Sequence, residues 1–328
     1  MTTPARAFDL LQQSRSGSPG NLGGSERSAE LLAFADVGDR DVYNITAPFT
    51  IAGEHVIAGR VEARDTAASQ VTFFLCSLDN VWRPHPKAPT LPRLQDPCVT
   101  RIGSEFVIGG VEFPVELPGG RQGWRMAFYR GESLDQMQLF LRGPDHMKDI
   151  RLAELPQGGI AVCSRPQGDL GGRGTIGFTI VDNLDALTAS VIDSAPLLKG
   201  QFLPREWGGA NELHPLANGQ LGVLGHIAWM AGDGTPAEEK HYYPMVFELD
   251  PQTQQHTPPR VIGSRQDYPQ APVKRRGLED VIFSGGLHRN KDGTAWLYAG
   301  LSDAAAGRAL ITDPFQVRFV ESSPKTQF

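Results

Sequence analysis

Short strand-like segments recur along this 328-residue chain at intervals of about ten residues, separated by glycine, proline and aspartate. Clear examples are Val71–Ser77, Gly159–Ser164 and Ala295–Leu301, which are apolar or alternate apolar with polar residues. Helical periodicity of any length is hard to find, although Asn183–Leu187 could supply one turn. The 37 glycines and 25 prolines suit many strands joined by tight turns. The pattern therefore predicts an all-β protein.

The number of strands indicates which all-β architecture to expect. More than a dozen strands exceed one sandwich, and they fall into roughly five groups of three or four. We predict a single five-bladed β-propeller over residues 33–328, with repeats too diverged to match by identity. The innermost strands of a propeller surround a channel, so polar residues from distant parts of the chain can share one pocket. Residues 1–32 contain a short amphipathic piece and a Gly/Ser/Pro-rich stretch, which predicts a flexible segment.

Charge and cysteine content argue against several classes of protein. The formal net charge of −6 disfavours nucleic-acid binding, and we interpret Lys274-Arg275-Arg276 as a solvated loop. Cys76, Cys98 and Cys163 have neither metal-ligand nor disulfide spacing, so we expect three buried free thiols. The chain lacks an apolar run of membrane-spanning length, and its first twelve residues lack the apolar core of a secretion signal. We expect a cytoplasmic protein that does not bind membranes.

Motifs of other enzyme classes are absent or do not lie in the structural context that those classes require. Gly172–Gly177 matches GxGxxG, but it precedes a strand instead of opening a helix, so we interpret it as a hairpin loop. His226 and His241 have no third ligand at metal spacing, and the chain has no GxSxG motif. We therefore expect no metal and no organic cofactor.

The segment Leu91–Phe113 contains the most informative carboxylate. The dipeptide Asp96-Pro97 predicts a turn, which is followed by a strand at Cys98–Ile102, a Gly-Ser turn and a strand at Glu105–Glu112. We expect the carboxylate of Asp96 at the mouth of this hairpin. Taken alone, the stretch indicates an ordinary Asp-Pro turn.

Further polar motifs occur before and after Asp96. Each has an ordinary structural interpretation as a strand end, a core histidine, a turn or an exposed ion pair. Together they would place cations and hydroxyl-binding groups opposite one carboxylate. They are Tyr43-Asn44, Gly59-Arg60, Met147-Lys148-Asp149, Ser164-Arg165-Pro166, Leu224-Gly225-His226, Tyr242-Tyr243, Val281-Ile282-Phe283 and Gly300-Leu301-Ser302-Asp303.

From about Asp41 to Asp303 this series resembles, in order, family 130 of the glycoside hydrolases and phosphorylases, five-bladed propellers that act on β-mannosides. It is more similar still to the mannosyltransferase/phosphorylase group of bacteria and Leishmania. The segment Gln95–Ile102 resembles that family's Glu-Asp-Pro-Arg-Val-Thr-Lys-Ile block, whose aspartate is the general acid. The resemblance implies that Asp96 is the acid and that it acts through a sugar hydroxyl.

The resemblance also implies the remaining roles and the substrates. Phosphate would be a co-substrate, and the direction of transfer from mannose-1-phosphate to an acceptor would be part of the same activity, with β-1,2 as the expected linkage. A homo-oligomer is possible. The implied phosphate-binding residues are Lys148, Arg165, His226 and Tyr242 or Tyr243, and the implied sugar-binding residues are Asn44, Arg60, Asp149, Phe283 and Asp303.

Two alternatives stay open. The family carries a lysine near its fourth-blade Gly-Gly-Thr-Pro-Pro motif, whereas this chain has Glu212 in the corresponding loop, Trp207–His214. Inverting hydrolysis needs a second carboxylate as base, while phosphorolysis does not, so Glu212 could indicate a hydrolase or contact the substrate. Other five-bladed glycosidases use a first-blade aspartate, and Asn44 at the comparable position disfavours them. A non-catalytic sugar-binding propeller is the third possibility.

Overall fold

The structure is a computed structural model that describes residues 6–16, 28–66, 68–232, 234–235 and 238–316. Strands dominate it, as the sequence predicts. In the first part of the chain, β2, β7, β6, β5 and β3 pair in that order, while β4 adds to β5 and β8 to β6. The strands are β1 (Ala29–Leu31), β2 (Ala33–Phe34), β3 (Asp41–Tyr43), β4 (Phe49–Ile51), β5 (Glu54–Glu62), β6 (Ser69–Cys76), β7 (Val81–Pro84) and β8 (Leu91–Pro92).

Two smaller antiparallel sheets follow along the chain. One has four strands in the order β12-β11-β10-β9, and the other has three in the order β13-β14-β15. Their strands are β9 (Leu94–Ile102), β10 (Glu105–Leu117), β11 (Arg121–Gly131), β12 (Gln138–Arg142), β13 (Arg151–Glu154), β14 (Ile160–Ser164) and β15 (Gly177–Val181).

The last part of the chain forms two antiparallel groups that a parallel contact joins. His241 lies opposite Asp280 in this contact between β18 and β20, and β1 pairs with β22 to complete an eight-stranded sheet. The strands are β16 (Trp207–Pro215), β17 (Leu221–Ala231), β18 (Glu239–Leu249), β19 (Arg260–Val261), β20 (Asp280–Arg289), β21 (Thr294–Leu301) and β22 (Ala305–Thr312).

Helices are short, and one of them lies where the sequence predicts flexible chain. Helix α1 (Arg6–Ser16) buries Ala7 and Leu11 in the hydrophobic cluster that also contains Phe178 and Tyr243. This amphipathic piece is therefore a packed helix, because its apolar side chains recur at helical spacing on one face. The rest of the predicted flexible segment contains β1, while residues 17–27 lie outside the described residues. The other helices are α2 (Gly168–Gly171), α3 (Ala189–Asp193) and the 3-10 turns Leu134–Gln136, Leu184–Ala186 and Arg265–Asp267.

The predicted turn at Asp96-Pro97 is wrong, since β9 runs through both residues. Cys98 pairs with Gly109 and Gln95 with Val111, so Asp96 and Pro97 together oppose one residue of β10. This is a β-bulge, where a proline without an N–H group is tolerated. The bulge keeps Asp96 on a strand and gives it a φ of 50°.

The thiols also differ in part from the prediction. Cys98 and Cys163 are buried and free, as expected, but Cys76 is exposed. Cys76 ends β6, where the burial of that strand gives way to solvent.

Candidate active site

The carboxylate of Asp96 is held through one oxygen. Its Oδ1 accepts hydrogen bonds from Nδ2 of Asn44 at 2.7 Å and from Nη1 of Arg60 at 3.1 Å. The side chain is 14% exposed. Within the described residues Oδ2 has no hydrogen-bond partner, so this oxygen is the one available to a ligand.

Glu62 forms an ion pair with Arg60 and so fixes the position of its guanidinium. Its buried carboxylate accepts hydrogen bonds from Arg60, Ser69 and Lys274, and Nζ of Lys274 also donates to the Tyr43 hydroxyl at 3.0 Å. Both cations lie over the Tyr43 ring, at 4.9 Å for Arg60 and 5.3 Å for Lys274. Burial alone would raise the pKa of Glu62, but these donors outweigh it and hold that pKa below its usual value. Glu62 therefore stays ionised and keeps Arg60 aimed at Asp96.

Sequence reasoning included Tyr43 in the motif Tyr43-Asn44, but it missed Glu62 and misinterpreted Lys274. The predicted solvated loop is wrong for Lys274, whose side chain is only 17% exposed. Lys274 lies 231 positions from its partner Tyr43, so no local pattern or spacing could have indicated the contact.

Asp303 lies on the same side of the site. Burial, followed by the nearby negative charge of Asp96, raises the pKa of Asp303 above its usual range. Asn44, Asp96, Asp149 and Asp303 all have positive φ, between 45° and 58°. Asn and Asp tolerate this left-handed region better than other residues, and such strained positions concentrate at functional sites.

The residues around Asp96 form one half of the site, and those around Arg165 form the other. Arg165 is the most deeply buried cation of this second half. It is 2% exposed, and its Nε donates to the carbonyl of Gly208 at 2.8 Å while its Nη2 donates to the carbonyl of Arg173 at 3.1 Å. Its Nη1 lies 3.3 Å from Oδ2 of Asp149 but makes no hydrogen bond with any described residue. Burial would raise the pKa of Asp149, yet Arg165 and the neighbouring cations lower it, so Asp149 is ionised. Arg165 thus retains one donor for a ligand.

Lys148 links the two halves electrostatically. It makes no hydrogen bond or ion pair with the part of the chain that the structure describes. Burial lowers its pKa, Asp149 opposes this effect, and Arg165 adds to it. The charges of Asp96 and Arg60 act on the same pKa, so Lys148 lies close to the Asp96 half as well.

His226 and the aromatic residues around it form the back of this half. His226 is buried, and its Nδ1 lies 2.8 Å from Oδ1 of Asn211. Its ring stacks on Tyr242 at 5.6 Å and contacts Phe283 at 5.3 Å. Burial lowers the pKa of His226 to about 3, so the imidazole is neutral near pH 7. The hydroxyl of Tyr242 accepts a hydrogen bond from Trp207 at 3.1 Å.

A cavity of about 840 Å³ opens beside these residues. Its lining includes Lys148, Arg165 and Tyr242. The lining also includes the aromatic and cationic side chains Trp124, His146, Arg173 and Trp207, and the carboxylates Asp145, Asp169 and Asp193. The cavity therefore offers an anion the cations Lys148 and Arg165 and the hydroxyl of Tyr242.

Of the predicted site residues, Lys148, Arg165 and Tyr242 line this cavity, whereas Asp96 and the others do not. Two of the others, Tyr243 and Glu212, make their contacts away from the site. Tyr243 follows Tyr242 on β18 and so points to the opposite face, where its hydroxyl donates to Asp280 at 2.6 Å. Glu212 accepts a hydrogen bond from the backbone N–H of Leu287 at 2.7 Å and pairs with His214 at 2.8 Å. Strand alternation on β18 directs Tyr243 away from the cavity. The contact between β16 and β20 holds Glu212 against Leu287.

Within the described residues, no cluster of His, Cys, Asp and Glu could hold a metal ion. None of the helices in this part of the chain is long and apolar enough to span a membrane. A cytoplasmic location and a homo-oligomer stay predictions.

The chain is similar to solved carbohydrate-active enzymes. The mannose phosphorylase MPT-4 of Leishmania mexicana, solved with a phosphate ion, is 34% identical, with a TM-score of 0.82 over 94% of this chain and 95% of that chain. The GDP-Man-dependent mannosyltransferase MPT-1 of the same organism is 32% identical, with a TM-score of 0.81 over 94% and 96%. A β-1,2-mannobiose phosphorylase of Listeria innocua is 14% identical, with a TM-score of 0.59 over 90% and 94%, and shares the fold alone.

The similarities define the class as a carbohydrate-active enzyme and confirm the predicted resemblance to the Leishmania mannosyltransferase/phosphorylase group. With family 130 mannoside enzymes the chain shares the fold. Within that class, the chain belongs to the family described as "Protein of unknown function (DUF1861)", whose model matches residues 25–317. No protein with curated annotation matches the chain.

Proposed function

We propose that this protein is an inverting β-mannoside phosphorylase, which in the reverse direction transfers mannose from mannose-1-phosphate to an acceptor. In the forward direction a phosphate oxygen bonds to the anomeric carbon, and the bond from that carbon to the glycosidic oxygen breaks. Asp96 supplies the proton that the leaving oxygen takes up, either directly or through a sugar hydroxyl. The linkage we propose is β-1,2.

One observation carries this proposal: an anion site with unused donors adjoins a single available carboxylate. Arg165 keeps Nη1 without a hydrogen-bond partner in the described part of the chain, and Lys148 faces the same cavity. Phosphate is already an anionic nucleophile, so it needs cations to neutralise and orient it and no catalytic base. Tyr242 and a neutral His226 would add hydrogen bonds. The phosphate ion in the similar Leishmania phosphorylase supports the same assignment.

The sugar would occupy the Asp96 half of the site. Asn44 and Arg60 already fix Oδ1 of Asp96, which leaves Oδ2 to carry the proton. Asp303, with its raised pKa, and Phe283 would orient the mannosyl ring. The ring would then lie between the acid and the phosphate, as in-line displacement requires.

The alternatives have less support. A hydrolase would need Glu212 as base, but that carboxylate is engaged by Leu287 and His214. A non-catalytic sugar-binding protein would have no use for Lys148, which has no ion pair among the described residues, or for the unused Nη1 donor of Arg165.

We also propose that the fold is a single five-bladed propeller, which consists of the predicted span 33–328 and, in addition, β1 (Ala29–Leu31). Its blades would be the β2–β8 sheet, the β9–β12 sheet, the β13–β15 sheet, the β16–β19 group and the β20–β22 group. The pairing of β1 with β22 supports this proposal, since a strand from the N-terminal part would close the ring by completing the last blade.

The experiment incubates the purified protein with β-1,2-mannobiose, with and without inorganic phosphate, and measures mannose-1-phosphate and free mannose. We expect mannose-1-phosphate only when phosphate is present. Free mannose in both reactions would favour the hydrolase. Absence of any product, despite sugar binding by calorimetry, would favour the non-catalytic alternative.

A further inference from the structure

Asn211 is the extra residue of a bulge in β16, and its side chain contacts His226. Ala210 pairs with Gly225 and Glu212 pairs with Leu224, so Asn211 has no partner of its own on β17. A bulge of this kind redirects a side chain beside a site. Asn211 is 3% exposed and His226 is 1% exposed, so the contact between them is sealed from solvent.

The neighbouring sheet anchors this bulge. Arg151 of β13 donates from Nε to the backbone carbonyl of Asn211 at 2.7 Å. The same guanidinium donates to the carbonyl of Ile150 at 2.9 Å and lies 3.8 Å from Asp149. The backbone of Asn211 is therefore fixed against the site, and the orientation of its amide is the remaining freedom.

The hydrogen-bond network decides that orientation. With Oδ1 of Asn211 facing Nδ1 of His226, the neutral ring donates from Nδ1 and presents a lone pair from Nε2 toward Asp149, 4.0 Å away. In the same arrangement Nδ2 of Asn211 has no partner among the described residues. Exchanging amide oxygen and nitrogen costs no space. Nδ2 then donates to Nδ1, Nε2 carries the proton toward Asp149, and the amide atom left without a described partner is the acceptor Oδ1 instead of a donor.

We propose that Asn211 is a positioning residue that donates from Nδ2 to Nδ1 of His226 and holds the neutral imidazole as the Nε2–H tautomer. Nε2–H then faces Asp149 and serves as a neutral hydrogen-bond donor at the anion site. Its use on a phosphate oxygen rests on the proposed function, whereas the tautomer does not. The charged and titratable groups around the ring are Asp149, Arg165, Lys148, Arg151 and Tyr242, and their cations disfavour an imidazolium.

The first test is the tautomer itself, read by ¹⁵N NMR of the histidine side chains in the full-length protein. The chain has 8 histidines, so the His226→Gln variant assigns the signal. We expect His226 to show a protonated Nε2 and an unprotonated Nδ1, unchanged across the neutral pH range. A protonated Nδ1, alone or in an imidazolium, would overturn the proposal. This test uses the wild-type protein and needs no activity.

The second test is Asn211→Asp, which keeps the shape but can only accept from Nδ1. We expect the His226 signals to move to a protonated Nδ1, and the KM for phosphate to rise about tenfold with a smaller change in kcat, since one hydrogen bond is lost. Asn218→Asp is the matched control, because Asn218 is exposed and its side-chain oxygen already accepts from the Gln220 N–H at 3.0 Å.

Wild-type His226 signals and an unchanged phosphate KM in Asn211→Asp would contradict the proposal. If the protein proves not to be a phosphorylase, calorimetry with inorganic phosphate replaces the KM. A changed tautomer with unchanged phosphate affinity would overturn only the use of Nε2–H on phosphate.

Discussion

Asp96 combines two donors on Oδ1 with an oxygen that the described residues leave unpaired, which is the arrangement expected of a positioned acid. The substitution Asp96→Asn keeps the size of the side chain and removes the proton. We expect kcat to fall by about 10²- to 10⁴-fold while mannobiose binding, measured by calorimetry, changes little. Asp185→Asn, at an exposed position, is the control and should keep wild-type turnover. Unchanged turnover in Asp96→Asn would eliminate the acid role.

Because the pKa of Lys148 is lowered, we expect phosphate binding to depend on pH. Burial lowers its pKa, so the ammonium loses its proton at a lower pH than an exposed lysine does. Phosphate needs the charged form, and its dissociation constant should therefore rise by about tenfold as pH increases through this lowered pKa. Titration calorimetry over the pH range below the ordinary pKa of lysine measures it.

Lys148→Arg should flatten this profile, because a guanidinium stays charged throughout that range. Identical profiles for the wild type and Lys148→Arg would exclude Lys148 as their source. Folding stability changes with pH in the opposite direction to phosphate affinity. Between the folded and unfolded pKa values of Lys148, the unfolded state binds the extra proton. The contribution of Lys148 to the free energy of unfolding therefore rises with pH in this interval.

At the scale of elements, loops and bulges hold the site while regular strands support them. The segment between α2 and β15 contains Gly174, which has a φ of 140° and packs against the guanidinium of Arg165. Gly209 of β16 closes the other side, since a Cβ there would lie 2.7 Å from Cδ of Arg165. The predicted hairpin-like loop at Gly172–Gly177 thus leads into β15, and it also shapes the anion site.

Gly174→Ala should weaken both folding and phosphate binding. The added methyl collides with Arg165 and strains the backbone, so we expect the free energy of unfolding to fall by about 1–3 kcal/mol and the phosphate dissociation constant to rise at least tenfold. Urea denaturation and calorimetry measure the two effects.

Gly219→Ala is the matched control, since its φ is also positive, at 83°, but nothing lies within 4 Å of its added Cβ. It should lose about 1–2 kcal/mol from backbone strain and keep wild-type phosphate affinity. Equal phosphate affinity in both variants would argue against this role for Gly174.

At the scale of the whole molecule, contacts between distant parts of the chain assemble the site. Lys274 precedes β20, yet its side chain reaches Tyr43 and Glu62 of the first sheet, and its N–H donates to the carbonyl of Ser302 at 3.0 Å. Lys274 therefore joins an early and a late part of the chain at Glu62, which in turn holds Arg60 beside Asp96.

Lys274→Met tests that connection. It removes the charged donor to buried Glu62 but keeps an apolar stem of similar length, so we expect the free energy of unfolding to fall by about 2 kcal/mol. Exposed Lys291→Met should change it by less than about 0.5 kcal/mol. Equal urea midpoints for the two variants would show that the contact contributes nothing measurable.

Local sequence patterns determined the β class, the strand segments and the buried positions, because alternation and turn residues act within a few neighbours. The roles of Asp96, Lys148 and Arg165 were predicted only through the resemblance of their motifs to a known family, because each residue alone also fits an ordinary structural role. The pattern could not indicate the bulge at Asp96, which depends on the register that β10 imposes.

Only the tertiary structure decided which residues meet. It distinguished Tyr242 from Tyr243 by the face of β18, engaged Glu212 with Leu287, and added Lys274, Glu62 and Asn211 to the site. These outcomes depend on the register and on contacts across as many as 231 positions, and neither leaves a local signal in the sequence. The physical reason is that hydrogen bonds and charges act through space, whereas a sequence pattern records only neighbours along the chain.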